Sequence, residues 1–594
     1  MIDSRMLLQQ NFASILRFPR WMQAPIYTFL QWWLQEHRIN HFIQSPSIND
    51  IHGIPFIEKV LDFLGVSYKI KHHELENIPA IGKLLVIANH PLGGLDALAL
   101  IQLVAQQRQN KRVKILANEL LMHIPQLHPL LIPIDTMHNK MSRSSYRAID
   151  EALAREEAVI IFPAGEVSRL QGLVLRDRTW KQGFIHIATR NRAPILPIHI
   201  QARNSVLFYF IALFSMTAAT LSLPRELFKK KGAPFEITIG KVINERWSSQ
   251  RDISTKQTAQ LFKKHLYRIG HGKREIFNTE QTIAHPESRQ LLRDDLKQCQ
   301  HLGITSDGKK IYLANYDQVP FLMREIGRLR EYSFRKVDEG SGLKRDLDHY
   351  DTYYRHILLW DDQALEIVGA YRIGECQHIL QNMSEHALYT ATLCQYDVGF
   401  VEHILPQSIE LGRSFVQPRY WGSRALDYLW QGIGAYLSAH PHIEYLFGPV
   451  SLSHSYPDAA KEALVYFYRH YFSPESASNQ AMVAKTPYLI SNQSMAQLKH
   501  IFLGDDYTQD LKALRDYLKL FNVSIPTLFK QYSELCEPGG VQFHDFGIDA
   551  EFNHCIDGYI VAQISKIKDS KRKRYIHSTP HESGHAPSPP PCKE

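Results

Sequence analysis

The stretch LLVIANHPLGGLDALALIQLVAQQ, residues 84–107, decides the fold of the first half of this chain. Its opening LLVIA is a short, unbroken apolar run, the pattern of a strand buried on both faces. Pro91, Gly93 and Gly94 then break the run, and LDALALIQLVAQQ reads as a helix. Outward from this unit, the runs VKILA (113–117), AVIIF (158–162), ILPIHI (195–200) and FEITIG (235–240) alternate with helix-like segments. That alternation predicts an α/β domain with helices covering its sheet.

The turn after LLVIA carries His90 and Asp96. The carboxyl end of a buried strand is where an open α/β sheet places ligands and reactive side chains. A histidine there is suited to remove the proton of a hydroxyl attacking a thioester, with Asp96 setting the ring tautomer and stabilising the imidazolium. Such a transfer needs no Ser or Cys nucleophile. After AVIIF, the turn FPAGEVSR (162–169) supplies Gly165, Glu166, Ser168 and Arg169, whose backbone N–H groups and guanidinium suit an anionic headgroup.

With Trp180-Lys181-Gln182-Gly183-Phe184 and Ala193-Pro194-Ile195-Leu196-Pro197-Ile198, these motifs resemble the lysophospholipid or glycerol-phosphate acyltransferase family over residues 70–245. The resemblance implies His90 and Asp96 as catalytic residues and Gly165, Glu166, Ser168 and Arg169 as substrate-binding. Five residues separate His90 from Asp96 where the family has four, and FPAGEVSR replaces FPEGTR. Both departures resemble the branch that acylates amino-acid lipids, also labelled hemolysin-like.

The second half is read from REIGRLREYSFRKVDEGSGLKRDLDHYDTYYRHILLWDDQALEIVGAYR, residues 324–372, followed by QSIELGRSF (407–415) and YLFGPVS (445–451). Helix is predicted over 319–335 and 422–438, strand over 365–373 and 388–396. An α-amine must lose its proton to attack a thioester, so a carboxylate is required. The order of elements resembles the acyl-carrier-protein-dependent N-acyltransferases of the ornithine-lipid and acyl-homoserine-lactone synthase type, which have a GNAT-like α/β fold. The resemblance implies Glu410 as the catalytic carboxylate. It also implies Arg330, Phe334, Asp348, Asp351, Arg372 and Arg413 around the acceptor; the charges also suit a structural ion-pair network, Asp348, Arg413 and Arg330 equally so.

The chain has 594 residues, too many for one core. Its expected organisation is a helical membrane-associated extension (1–70), an O-acyltransferase domain (71–245), a helical linker (246–305), a GNAT-like domain (306–563) and a disordered tail (564–594). Six scattered cysteines without metal-ligand spacing argue against a disulfide framework and a metal site. The net charge of +8 is uneven: residues 1–250 carry +10 and the remainder −2. A basic first half suits anionic lipid headgroups or an acidic carrier, and equally a solvated face. The basic tail stands alone without a recognition motif, so nucleic acid is not an expected partner.

No secretory signal is apparent. The Trp-rich stretch 20–38 is predicted to lie in a membrane interface, and the uncharged stretch 205–223, followed by Lys229-Lys230-Lys231, to dip into one leaflet or pack in the core. The expected location is the cytoplasmic face of the bacterial inner membrane, peripheral or monotopic. Taken together, the two resemblances imply a bifunctional enzyme of the ornithine lipid synthase type. It would need no bound cofactor: the phosphopantetheine thioester of acyl carrier protein would donate the acyl chains, and ornithine or another amino acid would accept them. The alternatives are a single-activity lysophospholipid acyltransferase with a non-catalytic second half, and a hemolysin-like membrane-binding protein.

Overall fold

In the computed structural model the apolar runs of the first half become the strands of one sheet. Residues 20–576 are described, apart from 47, 119–120, 123, 135–141, 172–173, 230–233, 245–252, 338, 476–480 and 551. They divide into two units between His285 and Pro286.

The first unit contains β1 (Tyr68–Lys69), β2 (Leu84–Ala88), β3 (Val113–Asn118), β4 (Leu131–Ile134) and β5 (Ala158–Ile161). A small hairpin, β6 (Arg169–Gln171) with β7 (Val174–Arg176), precedes β8 (Ile195–Gln201) and β9 (Phe235–Ile239). The main sheet has the order β1-β9-β8-β2-β5-β3-β4. Its strands pair in parallel except β8 with β9. β2 is central and wholly buried, which explains why LLVIA carries no polar residue.

The helical extension expected over 1–70 is partly core. Phe56, Ile57, Leu61 and Leu64 of the helix Ile54–Leu64 join the apolar cluster on one face of this sheet. The Trp-rich stretch is two helices, Arg20–Trp33 and Glu36–Gln44, separated at Gln35 in the left-handed region (φ 55°). The stretch 205–223 is likewise broken, into Val206–Phe214 and Met216–Leu221. Ser215 ends the first helix with an extended backbone, and its hydroxyl accepts the N–H of Ala218 to cap the second. No helix among the described residues is long and apolar enough to cross a membrane.

The expected helical linker 246–305 divides between the units. Ala259, Phe262 and Leu266 of the helix Thr255–Gly270 are buried in the first unit's second apolar cluster, because their spacing puts them on one helix face. The end of the stretch is a strand of the second unit.

That unit contains β10 (Gln300–Ile304), β11 (Lys310–Asn315), β12 (Arg355–Asp361), β13 (Glu366–Glu375), β14 (Cys394–Tyr396), β15 (Ser408–Val416), β16 (Tyr445–Leu452), β17 (Met482–Ala484), β18 (Val541–Asp549) and β19 (Cys555–Gln563). Eight of these form one sheet in the order β10-β11-β12-β13-β15-β16-β19-β18. Its neighbours are antiparallel except β15 and β16, which pair in parallel over only Ser408–Glu410 with Tyr445–Phe447. Gly448 lies against the Leu411 carbonyl, too close for a Cβ. Beyond that contact no ladder joins the two strands and the sheet opens.

The predicted helices appear as Pro320–Arg335 and Ala425–Ala439, and the strand 365–373 as β13. The strand expected over 388–396 is confined to β14, with a 3₁₀ turn at Tyr389–Thr392 before it. The N–H groups of Tyr389 and Thr390 are donated to the Glu410 carboxylate instead of to a strand.

The start of the tail expected to be disordered from 564 is folded, with a 3₁₀ turn at Ile564–Lys566. Asp569–Tyr575 is helical; Tyr575 is buried against Trp430, its hydroxyl donates to Asp427 at 2.9 Å, and Arg574 pairs with the same carboxylate. The Pro-rich end with His577, His581 and His585 lies outside the described residues.

Candidate active sites

In the first unit, Asp96 lies in the first turn of the helix Leu95–Gln107, and His90 lies in the turn two residues beyond the end of β2. The Asp96 carboxylate accepts N–H groups from Leu92 (2.9 Å), Gly93 (3.4 Å) and Ala97 (2.9 Å), so it is held by its own turn and by the positive end of the helix. Gly93 has φ 88°, and a Cβ there would strike Leu223 and Val167; the longer His–Asp spacing is closed by a residue without a side chain.

Nδ1 of His90 lies 3.2 Å from Oδ2 of Asp96, and the ring stacks on Phe162 at 3.9 Å. Asp96 is wholly buried while His90 keeps an exposed edge. Burial opposes the imidazolium, but Asp96 and, more weakly, Asp177 outweigh it and raise the His90 pKa above its ordinary value. Burial likewise opposes the charged Asp96, and its contacts with His90 and the backbone hold its pKa low. Such a pair matches a general base with its orienting carboxylate.

Asp177 was not singled out in the sequence. It is completely buried, accepts from the Ser168 hydroxyl (2.5 Å) and the Trp180 indole (2.9 Å), and meets the His90 N–H at 3.4 Å. The Ser168 N–H donates to the His90 carbonyl at 2.8 Å, so Ser168 joins the FPAGEVSR turn to the His90 turn. Gly165 has φ 67° with the Lys181 ammonium against it. Glu166 and Arg169, expected to face an anionic headgroup, are ion-paired with each other.

The apolar helices 206–221 adjoin this turn, with Phe208 and Ala219 packed on Val167. Val206 (85% exposed), Leu213 (76%) and Phe214 (78%) point outward. Trp32 and Trp33 lie at 5.4 and 4.2 Å from the Arg225 guanidinium. The side chain of Trp21, and Lys230 and Lys231, lie outside the described residues.

A pH profile tests the His90–Asp96 pair. Because the His90 pKa is raised, any reaction that uses His90 as its base is expected to lose activity on acidification at a pH above the usual histidine value. Asp96→Asn should move that limb downward and slow the reaction on the order of 10²–10⁴-fold. Single-turnover rates between pH 5 and 9 read both; an unmoved limb would separate Asp96 from the base.

In the second unit the sequence-selected charges divide into two groups. Arg330 reaches Asp351 through both terminal nitrogens (2.8 and 3.0 Å) and Asp346 through Nε (3.2 Å), so its guanidinium is engaged within the fold. Arg372 donates to Asp348 (2.6 Å) and Asp351 (3.3 Å), and Arg413 lies 3.8 Å from Asp346 and 3.6 Å from Asp348. Burial resists the charge on Asp351, but Arg330 and Arg372 hold its pKa well below the carboxylate range. Asp348 and Asp351 also cap each other's turn.

Phe334 is buried edge-on to Phe552, and the Arg413 guanidinium lies 5.0 Å from both the Phe552 and Tyr389 rings. Arg413 has φ 47°, which turns its side chain out of the strand alternation where β15 leaves β16. Arg372 is enclosed by Tyr350, Tyr354 and Tyr389, with its Nε and Nη2 lacking hydrogen-bond partners.

Glu410 stands apart from this network. Its carboxylate accepts the Tyr354 hydroxyl, the Tyr389 N–H (3.1 Å), and both the N–H (2.6 Å) and hydroxyl of Thr390. Burial raises its pKa against these donors. A carboxylate has about four lone-pair sites, and four donors fill them. Glu410, which the resemblance implies as the acceptor of the amine proton, is thus tied by these donors to the 389–390 segment and to Tyr354. Tyr354, Tyr389 and Thr390 were missed in the sequence because their partner lies 20 or more residues away and nothing in their spacing marks it.

A His–Asp pair at a strand end in one α/β unit and a splayed sheet of GNAT type in the other define an acyltransferase enzyme. A family model described as "Acyltransferase" matches residues 16–271, and one described as "Acetyltransferase (GNAT) domain" matches residues 329–431. The chain is 31% identical over 308 residues to the glycine N(alpha)-acyltransferase of Bacteroides thetaiotaomicron, covering 50% of this chain and 90% of that protein. It is 33% identical over 277 residues to the lyso-glycine lipid O-acyltransferase of Phocaeicola vulgatus, covering 45% of this chain and 95% of that protein. The L-ornithine N(alpha)-acyltransferase of Brucella abortus is 28% identical over 240 residues, covering 39% of this chain and 74% of that protein. The chain belongs to the family of these acyltransferases and combines the O-acyl and N-acyl types.

Proposed function

We propose that the chain builds a di-acylated amino-acid lipid in two steps. The second unit transfers a 3-hydroxyacyl chain from an acyl carrier protein thioester to the α-amine of an amino acid such as glycine or ornithine. The first unit then esterifies the new 3-hydroxyl, with His90 as base and Asp96 as its orienting partner. Order follows from chemistry, because the hydroxyl to be esterified arrives with the first chain. The observation that carries the reading is that each unit has its own cluster of buried charged groups, alongside relatives named for the two separate reactions.

In the second unit, the unpaired donors of Arg372 inside its tyrosine enclosure suit the acceptor carboxylate, with Arg413 beside them. Asp348 and Asp351 set these guanidinium groups in place with Arg330, Phe334 lines the same region, and Glu410 holds Tyr389 and Thr390. In the first unit Gly165 and Ser168 shape the acceptor loop. The pairing of Glu166 with Arg169 offsets the guanidinium charge that a phosphate would meet, which favours a phosphate-free acceptor.

The test is to supply the purified chain with 3-hydroxyacyl carrier protein or the matching coenzyme A thioester, plus glycine or ornithine, and follow products by mass spectrometry. N-acyl amino acid, then its ester on adding a second thioester, is expected, with the carrier-bound donor preferred. An ester product from lysophospholipid and none from amino acids would support the single-activity alternative instead.

We place the enzyme on the cytoplasmic face of the inner membrane, held by the outward-facing Val206, Phe210, Leu213 and Phe214 and by Trp32. Burying each large apolar side chain is worth roughly 1.5 kcal/mol or more, so Phe210→Ser with Phe214→Ser should weaken vesicle binding about 100-fold. High salt should release the wild type only in part, since apolar burial is not screened. Equal flotation of variant and wild type with lipid vesicles would refute the assignment.

A further inference from the structure

We propose that Asp557, flanked by Asp549, is the carboxylate that accepts the proton of the α-ammonium during N-acylation. The assignment rests on the N-acylation reading above and supplies the proton acceptor that the engagement of Glu410 leaves unfilled.

The position follows from strand register. Asp557 on β19 pairs with Ser451 on β16 and with Gly547 on β18, and Cys555 on β19 pairs with Asp549. Side chains two apart share a sheet face, so Cys555, Asp557, Asp549 and Ser451 project to one side, together with Phe447 and Pro449. Ser451 lies in the part of β16 that β15 has already left. Tyr389 spans the same face: its N–H is on Glu410 of β15, and its hydroxyl donates to Asp549 of β18 at 3.2 Å. The Arg413 guanidinium sits beneath that ring and against Phe552 in the β18–β19 turn. The opening of the sheet is thus bordered by Arg413 on one side and by Asp549 and Asp557 on the other.

Asp557 is 1% exposed, yet the groups beside it are the Cys555 thiol, which donates to it at 3.5 Å, and its cross-strand neighbour Ser451, both neutral. A buried carboxylate that serves only the fold is normally matched by a cation or several N–H donors, as Asp351 is. Burial pushes the Asp557 pKa up to about 6; Asp549 adds to the shift, while Ser451, Cys555 and Arg413 oppose it. The other titratable groups facing it are Tyr389 and Tyr559, whose pKa values are raised, chiefly by burial and also by Asp557 itself. A base of that strength remains ionised at neutral pH and still accepts a proton.

The step balances. The ammonium passes one proton to Asp557, the freed nitrogen lone pair attacks the thioester carbonyl carbon, and the C–S bond breaks as the amide forms. The departing thiolate takes the second nitrogen proton to become a thiol, and Asp557 returns its proton to water.

The experiment compares the full chain, Asp557→Asn and Glu410→Gln, with glycine and with aminooxyacetate, a carboxylate whose amine is uncharged at neutral pH. With glycine, Asp557→Asn should lower kcat on the order of 10²–10⁴-fold with little change in donor KM, and the acid limb near pH 6 should vanish. With aminooxyacetate its deficit should shrink to under about tenfold, whereas Glu410→Gln should remain impaired on both acceptors, as expected for an anchor. The raised pKa makes the ionised folded state costly at pH 8, so Asp557→Asn should melt no lower than wild type there. Should it not fold, Asp557→Ser enters the same comparison. Near-wild-type glycine turnover by the variant, or equal deficits on both acceptors, overturns the assignment while leaving the N-acylation reading intact. A wild type that makes no N-acyl product overturns both.

Discussion

Replacement of His90 by alanine is expected to stop ester formation and leave the mono-acylated amino acid to accumulate. His90 is the titratable ring at the mouth of this turn, 3.2 Å from a wholly buried Asp96, and removal of a general base costs on the order of 10²–10⁴-fold. The fold should survive, since the Leu92, Gly93 and Ala97 N–H groups remain bonded to Asp96 and the Ser168 N–H remains on the residue-90 carbonyl. The N-acylation rate should be unchanged, because the variant residue belongs to the other unit. Lipid mass spectrometry of an expressing host gives the readout. Persistence of the di-acylated product at the wild-type level would remove His90 from the mechanism.

Glu410→Ala is expected to eliminate both products for a different reason. The substitution leaves the Tyr354 hydroxyl, the Tyr389 N–H, and the Thr390 N–H and hydroxyl buried without their acceptor. Each such loss costs about 1–3 kcal/mol. The segment that carries Tyr389 over Arg372 and Arg413 would shift, and displacement by about 1 Å is enough to cost 10²-fold in rate. N-acylation therefore fails first, and the ester step then lacks its acceptor. Supplying mono-acylated lipid should restore ester formation to wild-type rate, which distinguishes loss of one site from general unfolding. If the added lipid is not esterified, the two sites do not act in the proposed order.

By itself the sequence determined the local elements and the first site. LLVIA, bounded by a Pro/Gly turn, reads as a strand buried on both faces, and the Gly-containing turn and helix after it keep His90 and Asp96 within six residues of each other. The charges Asp348, Asp351 and Arg372 entered only through the resemblance to the N-acyltransferases, since no spacing of their own marks them. Other features depended on contacts between distant segments. The helix Thr255–Gly270 has the pattern of any amphipathic helix, and only the presence of Ile195 and Ile243 beside it in the first unit's core decides which unit it joins. The strand expected through residue 390 was displaced because Glu410 captures two backbone N–H groups, a competition that propensity does not encode. Glu410 itself is an acid in a motif until the fold surrounds it with four donors, and Asp557 is one aspartate among many until register sets it beside an opening in the sheet. The physical reason is range: strand and helix patterns arise from neighbours within a few residues, whereas the protonation and availability of a buried carboxylate depend on whichever groups the folded chain brings to it.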